Sequence, residues 1–105
     1  MTTLALVVIL SNMNAKLMLR ERHVISEISF VEMVVWYLPS PLSGSSHRFK
    51  YRLALVVNGI CVLRYDNEAG KGDHKHTAGE EVPYLFSTPQ ALLSDFWQEV
   101  DNWRP

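Results

Sequence analysis

An Asn-Gly pair between two apolar, β-branched segments constrains the fold of this 105-residue chain more than any other feature. Asn58 and Gly59 both tolerate the positive backbone angles of a two-residue type I′ turn, so residues 48–65 predict a β-hairpin. A two-residue turn also fixes the strand register, and regular pairing places Tyr51 opposite Asp66. Polar side chains are therefore expected where this hairpin leaves the core, at the end away from the turn.

Further segments have the alternating or continuously apolar pattern of β-strands. They cover residues 16–25, 30–38 and 82–86. Residues 39–46 are rich in proline, glycine and serine and predict a loop. Residues 69–80 are polar and contain three glycines, so they predict a loop with a short extended piece at residues 73–77.

The C-terminal segment has the spacing of an amphipathic helix. Leu92, Phe96 and Val100 fall on one face of residues 89–103, while the opposite face is mainly polar. Pro89 suits the first helical turn. Together these elements predict an α+β fold, an antiparallel β-sheet of about four to five strands with one C-terminal α-helix packed on one face.

The composition permits one core and limits the kinds of site. Hydrophobic residues make up 48% of the chain, and its length excludes a second catalytic domain or a repeat array. Ten Lys and Arg against 11 Asp and Glu give no global argument for nucleic acid. Cys61 is the single cysteine, so an internal disulfide and a cysteine zinc site are excluded and a cytoplasmic location is expected.

The N-terminus is apolar and offers no candidate chemistry. Residues 4–10 form a run of seven apolar side chains, whereas a membrane-spanning helix needs about 20, so no membrane contact is expected. We interpret residues 1–13 as an apolar N-terminal extension and residues 14–105 as a single α+β domain. Met13 precedes the first charged residue, Lys16, so the extension fits a start codon placed too early; an additional strand is the alternative.

Charge is unevenly distributed along the chain. Residues 47–76 contain six Lys or Arg, three acids and three of the four histidines, whereas residues 77–105 contain one Arg and five acids. A basic, histidine-bearing end on a nearly neutral protein is typical of an enzyme that acts on a phosphodiester. A solvated strand surface would show the same pattern, so charge alone does not decide between the two.

The densest group of reactive side chains lies between Arg64 and His76. If residues 73–77 are extended, His74 and His76 point to the same side, about 6.5–7 Å apart along the chain, and Lys75 points away. One imidazole can then take the proton of a ribose 2′-hydroxyl while the other protonates the leaving 5′-oxygen, because imidazoles titrate near neutral pH.

The charged neighbours of the two histidines have candidate roles as well. Arg64 and Lys71 could stabilise the pentavalent phosphorane, and Asp66 or Asp73 could orient an imidazole. The predicted catalytic residues are His74, His76, Asp66, Lys71 and Arg64. The predicted substrate-binding residues are Arg48, Lys50, Arg52, Tyr65 and Asn67.

A metal site is the rival explanation of the same residues. His74 and His76 with Asp66 or Asp73 form a set of two nitrogens and one oxygen that zinc or manganese could accept. The spacing of the two histidines is weakly specific, and two histidines also meet by chance in polar loops. The acid–base interpretation requires no metal and no cofactor, and it is the one that we adopt.

Several stretches of the chain carry a resemblance to a known family. They are FVEMVVW (30–36), HRFKYRL (47–53), RYDNE (64–68), GKGDHKH (70–76) and PY (83–84). In these stretches the chain resembles the TumE-type toxin family of bacterial toxin–antitoxin systems. The similarity runs from about Asn14 to Trp103, and the polar part from Arg64 to His76 is highly specific. Residues 26–29 depart from the glycine-containing turn that is usual in the family.

The resemblance implies a toxin that forms a complex with its cognate helix-turn-helix antitoxin and acts on RNA or translation. Combined with the residues themselves, it predicts a metal-independent ribonuclease that uses His74 and His76 as general acid and base. Two alternatives stay open. One is a non-catalytic protein- or RNA-binding module, and the other is a metal-dependent enzyme of phosphodiester or nucleotidyl transfer.

Overall fold

A computed structural model describes residues 14–68 and 70–105 of the chain. Its elements are β1 (Lys16–Val24), β2 (Ser29–Tyr37), β3 (Phe49–Val57), β4 (Ile60–Asp66), β5 (His74–Thr77), β6 (Glu80–Pro83) and α1 (Pro89–Asn102). The predicted α+β class is confirmed. The predicted extension at residues 1–13 lies outside the described residues. In the part that the structure describes, no helix has the length and apolar character required to cross a membrane.

The six strands form one open antiparallel sheet in the order β1-β2-β3-β4-β5-β6, which is one or two strands more than expected. The additional pairing arises at Ala78 and Gly79, which adopt positive φ angles of 52° and 77° and close a two-residue turn between β5 and β6. Alanine rarely adopts this conformation, so the turn is not visible in the sequence pattern.

The β3–β4 hairpin turns where predicted, but a β-bulge shifts its register. Arg52, rather than the predicted Tyr51, lies opposite Asp66. Val62 is the extra residue on β4, and pairing resumes one position beyond it. Because the bulge reverses the alternation of β4, Leu63 joins the core and Asp66 lies on the opposite side of the sheet.

Helix α1 covers one face of the sheet and closes the core. Thr88 caps the helix, since its side-chain oxygen accepts the Ala91 N–H at 3.0 Å. Leu92, Phe96 and Val100 are buried on the side that faces the sheet, as the helical spacing predicts. The buried sheet residues of this helix-covered face are Val31, Met33, Val35, Tyr51, Leu53, Leu55, Leu63 and Tyr65.

The other side of the sheet, which we call the helix-free face, is polar and partly open. Its residues alternate with the core positions along each strand. They include Glu32, Val34 and Trp36 on β2, Lys50, Arg52 and Ala54 on β3, Arg64 and Asp66 on β4, and His74 and His76 on β5. The candidate chemistry therefore lies on the face that α1 does not cover.

Candidate active site

Strand pairing brings four of the predicted catalytic side chains together on the helix-free face. In the β4–β5 register, Arg64 lies opposite His76 and Asp66 lies opposite His74. Residues paired in this way share a sheet face, so the four side chains form one group, which we call the histidine cluster. The two imidazole rings have centroids 5.1 Å apart. The predicted direction of Lys75 is also confirmed, because its ammonium reaches the helix on the opposite face.

His74 is almost completely buried, and both of its ring nitrogens face acceptors. Nδ1 donates to the carbonyl oxygen of Gly72 at 3.0 Å. Nε2 lies 2.6 Å from Asp66 Oδ1 and 3.1 Å from Glu81 Oε2. Nε2 therefore faces two carboxylates, and its contact with Asp66 Oδ1 lacks hydrogen-bond geometry.

His76 is more accessible, with 34% of its side chain exposed. Its Nε2 atom lies 2.8 Å from a terminal nitrogen of Arg64 and 3.0 Å from Glu81 Oε2. A guanidinium only donates and a carboxylate only accepts, so Nε2 serves one of these partners at a time. Nε2 accepts from Arg64 when it carries no hydrogen, and it can point a hydrogen at Glu81 when it carries one. His76 is therefore placed to gain and lose a proton at Nε2 by exchanging partners.

Asp66 is buried at the centre of the cluster and balances its positive charges. Its Oδ2 atom lies 3.0 Å from Arg64 Nε, and Oδ1 faces His74. Neither Asp66 Oδ1 nor Arg64 Nε has a partner with hydrogen-bond geometry, so these contacts act mainly through charge. The buried carboxylate oxygen keeps unused acceptor capacity.

The histidine cluster also has the spacing of a metal site. One ligand atom each from Asp66, His74 and His76 lies within 4.8 Å of the others. Two imidazole nitrogens and a carboxylate oxygen suit zinc or manganese. The same atoms could therefore serve either proton transfer or metal coordination.

Lys71 lies beside the cluster, where it lines a pocket of about 330 Å³. The lining residues are Lys71, Asp73, His74, Glu81, Val82 and Pro83. A cavity of this size is near the lower end of the range for small-ligand sites. Lys71 thus lines the same pocket as His74, whereas Arg64 contacts His76.

Glu81 is the site residue that sequence reasoning missed. It lies opposite His76 in the β5–β6 register, and its Oε2 atom contacts both imidazoles. This placement depends on the turn at Ala78 and Gly79, which the pattern does not reveal. Gly79 was the one sequence signal for this turn. A two-residue turn at Ala78 and Gly79 places Glu81 opposite His76.

Three of the predicted substrate-binding residues are exposed on β3 or directly before it. Arg52 lies opposite Asp66 on the neighbouring strand, and Lys50 lies opposite Trp36. Arg48 is exposed directly before β3. These cations are available to a ligand, although none of them touches the imidazoles in the described contacts.

The structure does not bring Tyr65 and Asn67 to the cluster. Tyr65 lies on the helix-covered face, where its hydroxyl donates to Glu99 of α1; burial, followed by this hydrogen bond, raises the pKa of Tyr65 far above its usual value. Asn67 is buried as well, accepting the Tyr51 N–H at 2.9 Å and donating to the Phe49 carbonyl at 2.6 Å. Both side chains hold the fold together at these contacts.

Asp73 joins a second group of side chains instead of the histidine cluster. Its Oδ2 atom lies 2.7 Å from His47 Nε2 and accepts the Tyr51 hydroxyl at 2.7 Å, while Oδ1 accepts from Ser45 at 3.1 Å. Burial, followed by the hydrogen bond to Asp73, raises the pKa of Tyr51 far above its usual value. Of the two carboxylates proposed to orient an imidazole of the cluster, Asp66 is the one in contact with it.

Two glycine-containing loops, at residues 39–46 and 70–73, contact each other next to His74. The Gly70 N–H donates to the Ser43 carbonyl at 2.6 Å. A Cβ atom on Gly44 would lie 2.9 Å from the Gly72 nitrogen, so this approach requires glycine. Since the Gly72 carbonyl accepts from His74, the loop at residues 39–46 supports the position of that imidazole.

The chain was compared with known families, curated proteins and solved structures. Residues 12–104 match the family model described as Toxin TumE. The chain belongs to the TumE toxin family. Like other TumE members it is the toxin component of a toxin–antitoxin system, and its partner is an antitoxin. No curated protein and no solved structure matches it.

Proposed function

We propose that this TumE-family toxin cleaves RNA by metal-independent acid–base catalysis, with His76 as general base and His74 as general acid. The observation that carries the proposal is the convergence of both Nε2 atoms on one anionic oxygen, Glu81 Oε2, at 3.0 and 3.1 Å. A phosphate oxygen has the same charge and acceptor character as this carboxylate oxygen. The cluster is therefore suited to hold a phosphodiester where Glu81 now lies.

In the chemical step we assign an unprotonated Nε2 to His76 and a protonated Nε2 to His74. The ribose 2′-oxygen attacks phosphorus while His76 Nε2 takes the hydroxyl proton. The bond from phosphorus to the 5′-oxygen breaks, and the protonated His74 supplies a proton to that oxygen. The products are a 2′,3′-cyclic phosphate and a 5′-hydroxyl. On accepting its proton, His76 exchanges the Arg64 contact for an acceptor.

The remaining cations support the same reaction. Arg64 is within reach of the oxygens that gain charge in the phosphorane, and Lys71 contributes from the adjoining pocket. Arg48, Lys50 and Arg52 bind the flanking phosphates. We place this activity in the cytoplasm and propose that the antitoxin is a helix-turn-helix protein, as the family resemblance implies.

The test uses purified toxin, cellular RNA and EDTA. Cleavage that persists in EDTA, that stops when the ribose at the cleaved position lacks its 2′-hydroxyl, and that leaves cyclic phosphate ends supports the proposal. Cleavage of the 2′-deoxy substrate contradicts it. Absence of cleavage, together with RNA or protein binding that survives His74→Ala, would instead support a non-catalytic binding module.

A metal-dependent reaction is the second candidate, and a specific observation favours it. Asp66 Oδ1 is buried without a hydrogen-bond partner, and a carboxylate oxygen of Asp66 lies within 4.8 Å of a ligand nitrogen of each histidine, His74 and His76. If EDTA abolishes cleavage and zinc or manganese restores it, the metal-dependent mechanism replaces the acid–base mechanism.

A further inference from the structure

The helix-free face continues far beyond the histidine cluster, to the β1 edge of the sheet. One row of paired residues crosses it from Arg20 through Val34, Arg52 and Asp66 to His74. These five positions share one sheet face because each is directly opposite the next. The row spans four strand spacings, or about 19 Å. Exposed arginines on β1 and β3 thus lie in line with the proposed acid.

A neighbouring row leads to the proposed base and contains a second exposed arginine on β1. Arg22 lies opposite Glu32, with a nitrogen–oxygen distance of 3.2 Å and 57% of the arginine side chain exposed. Its guanidinium carbon lies 3.9 Å from the centre of the Phe30 ring. The guanidinium therefore lies over an aromatic ring, and more than half of the Arg22 side chain remains exposed to a ligand.

The same face presents aromatic rings beside cations. Trp36 lies opposite Lys50 and is only partly buried, and Phe30 is partly buried beneath Arg22. By contrast, Phe96 on the helix-covered face is fully buried. Partly exposed rings next to lysine and arginine offer both a stacking surface and charge neutralisation.

Charge on this face is positive, although the whole chain has a formal net charge of -1. Its described cations on β1, β3 and β4 are Arg20, Arg22, Lys50, Arg52 and Arg64. Among the described residues, the face has three acids against these five cations: Glu32 and Asp66 contact arginines, and Glu81 contacts both imidazoles. The positive charge is therefore local to the surface that leads to the imidazoles, which fits a polyanion rather than a neutral partner.

We propose that the helix-free face binds single-stranded RNA along a path from Arg20 and Arg22 at the β1 edge, past Trp36, to the histidine cluster. This inference rests on the proposed function and specifies its substrate class. Unpaired bases can stack on Trp36, whereas the bases of a duplex are enclosed in their own stack. The phosphates of the same strand meet the arginines, and one phosphodiester enters the cluster.

The test measures binding without cleavage. The probe is a fluorescent single-stranded RNA about 12 nucleotides long, with 2′-O-methyl groups that remove the attacking hydroxyl, and anisotropy is followed from about 50 to 200 mM salt. The Arg20→Ala/Arg22→Ala variant should lower the slope of log affinity against log salt by about 0.7 per lost contact. Arg104→Ala is the matched control, because this exposed arginine lies beyond the end of α1.

Stacking is tested separately through the tryptophans. Trp36→Ala should weaken binding about tenfold at every salt concentration without changing the slope. Trp103→Ala, which removes a partly buried tryptophan beyond α1, should leave affinity within about twofold. A duplex RNA of the same length should be insensitive to Trp36→Ala. Circular dichroism of each variant verifies that the fold is retained.

The outcomes separate this inference from the proposed function. Unchanged affinity and salt slope in the arginine and Trp36 variants would overturn it, even if the toxin cleaves RNA. If those variants lose affinity for purified antitoxin but keep their affinity for RNA, the face is a protein-binding surface and the inference is wrong. If the arginine and Trp36 variants lose RNA binding but neither the wild type nor any variant cleaves RNA, the inference stands and the proposed catalysis fails.

Discussion

The two faces of the β4–β5 pair use similar side chains in opposite ways. On the helix-covered face, Glu99 accepts hydrogen bonds from the Tyr65 hydroxyl and from the Lys75 ammonium, the latter at 2.8 Å. On the helix-free face, Nε2 of His76 faces two partners that it cannot serve together, and Asp66 Oδ1 has no hydrogen-bond partner. A complete network stabilises a fold, whereas an incomplete one leaves groups free to exchange protons or bind a ligand.

The two histidine–aspartate pairs repeat the contrast. His47 accepts the Phe49 N–H at Nδ1 and faces Asp73 at Nε2, so one neutral tautomer satisfies both nitrogens. It also stacks on Phe86, with ring centroids 3.8 Å apart. His74 faces acceptors at both nitrogens, and its Nε2 contact with Asp66 Oδ1 lacks hydrogen-bond geometry. The His47–Asp73 pair therefore has a complete set of partners, whereas the His74–Asp66 pair does not.

The largest expected effect on stability lies on the helix-covered face. Phe96→Ala empties a fully buried site and should lower the free energy of unfolding by about 3–5 kcal/mol. Phe30→Ala is the matched change on the helix-free face and should cost less than about 2 kcal/mol, because that ring is only partly buried. Urea unfolding followed by circular dichroism measures both. Equal losses would remove the distinction between the two faces.

The next effect tests whether the loops position the site. Gly44→Ala introduces a Cβ atom 2.9 Å from the Gly72 nitrogen at a φ of 91°, so it should destabilise the fold by about 1–3 kcal/mol and displace the carbonyl that holds His74. RNA cleavage should fall by up to about 100-fold. Gly79→Ala is the control, since it has a φ of 77° and open space around it. Comparable losses of cleavage in both variants would contradict a positioning role.

A smaller effect on the free energy of unfolding is expected at high pH, where the Tyr65 hydroxyl on the helix-covered face is involved. Burial, followed by the hydrogen bond to Glu99, raises the pKa of Tyr65 above its usual value of about 10, so the folded phenol stays neutral where the unfolded one ionises. This contribution to the free energy of unfolding is complete below about pH 10 and is lost as the pH rises further, at up to about 1.4 kcal/mol per pH unit. Tyr65→Phe should show a shallower alkaline decline in urea unfolding. An identical decline would contradict this pKa direction.

The smallest effect on stability is expected at the β1 edge. Arg22→Ala removes an exposed ion pair with Glu32 and should change the free energy of unfolding by less than about 1 kcal/mol. Thermal unfolding at low and high salt measures this contribution. A loss above about 2 kcal/mol would mean that the helix-free face carries stability like the helix-covered one.

Local patterns predicted much of the fold, and one irregularity limited the rest. The Asn58-Gly59 turn, the two faces of β5 and the apolar stripe of α1 follow from backbone preferences and from periods of two and 3.6 residues. The bulge at Val62 was not predicted, because regular pairing assumes one residue opposite each residue. The core decides this register, since the bulge is what brings Leu63 inward.

The candidate site was predicted where neighbours in sequence form it and missed where a turn forms it. His74 and His76 were found together because alternate residues of a strand share a face. Glu81 was not predicted, because its position depends on the positive φ of Ala78. Tyr65 and Asn67 are close in sequence to the cluster residues, but their side chains are buried elsewhere. Closeness along the chain therefore overstated the size of the site.

The most direct test of the account compares adjacent residues of β5 that point to opposite faces. Single-turnover RNA cleavage in EDTA should fall about 10²–10⁴-fold in His76→Ala and stay within about twofold of wild type in Lys75→Ala. Both proteins should retain the wild-type circular dichroism spectrum. If a folded His76→Ala protein cleaves RNA as fast as Lys75→Ala, the helix-free cluster does not carry the chemistry.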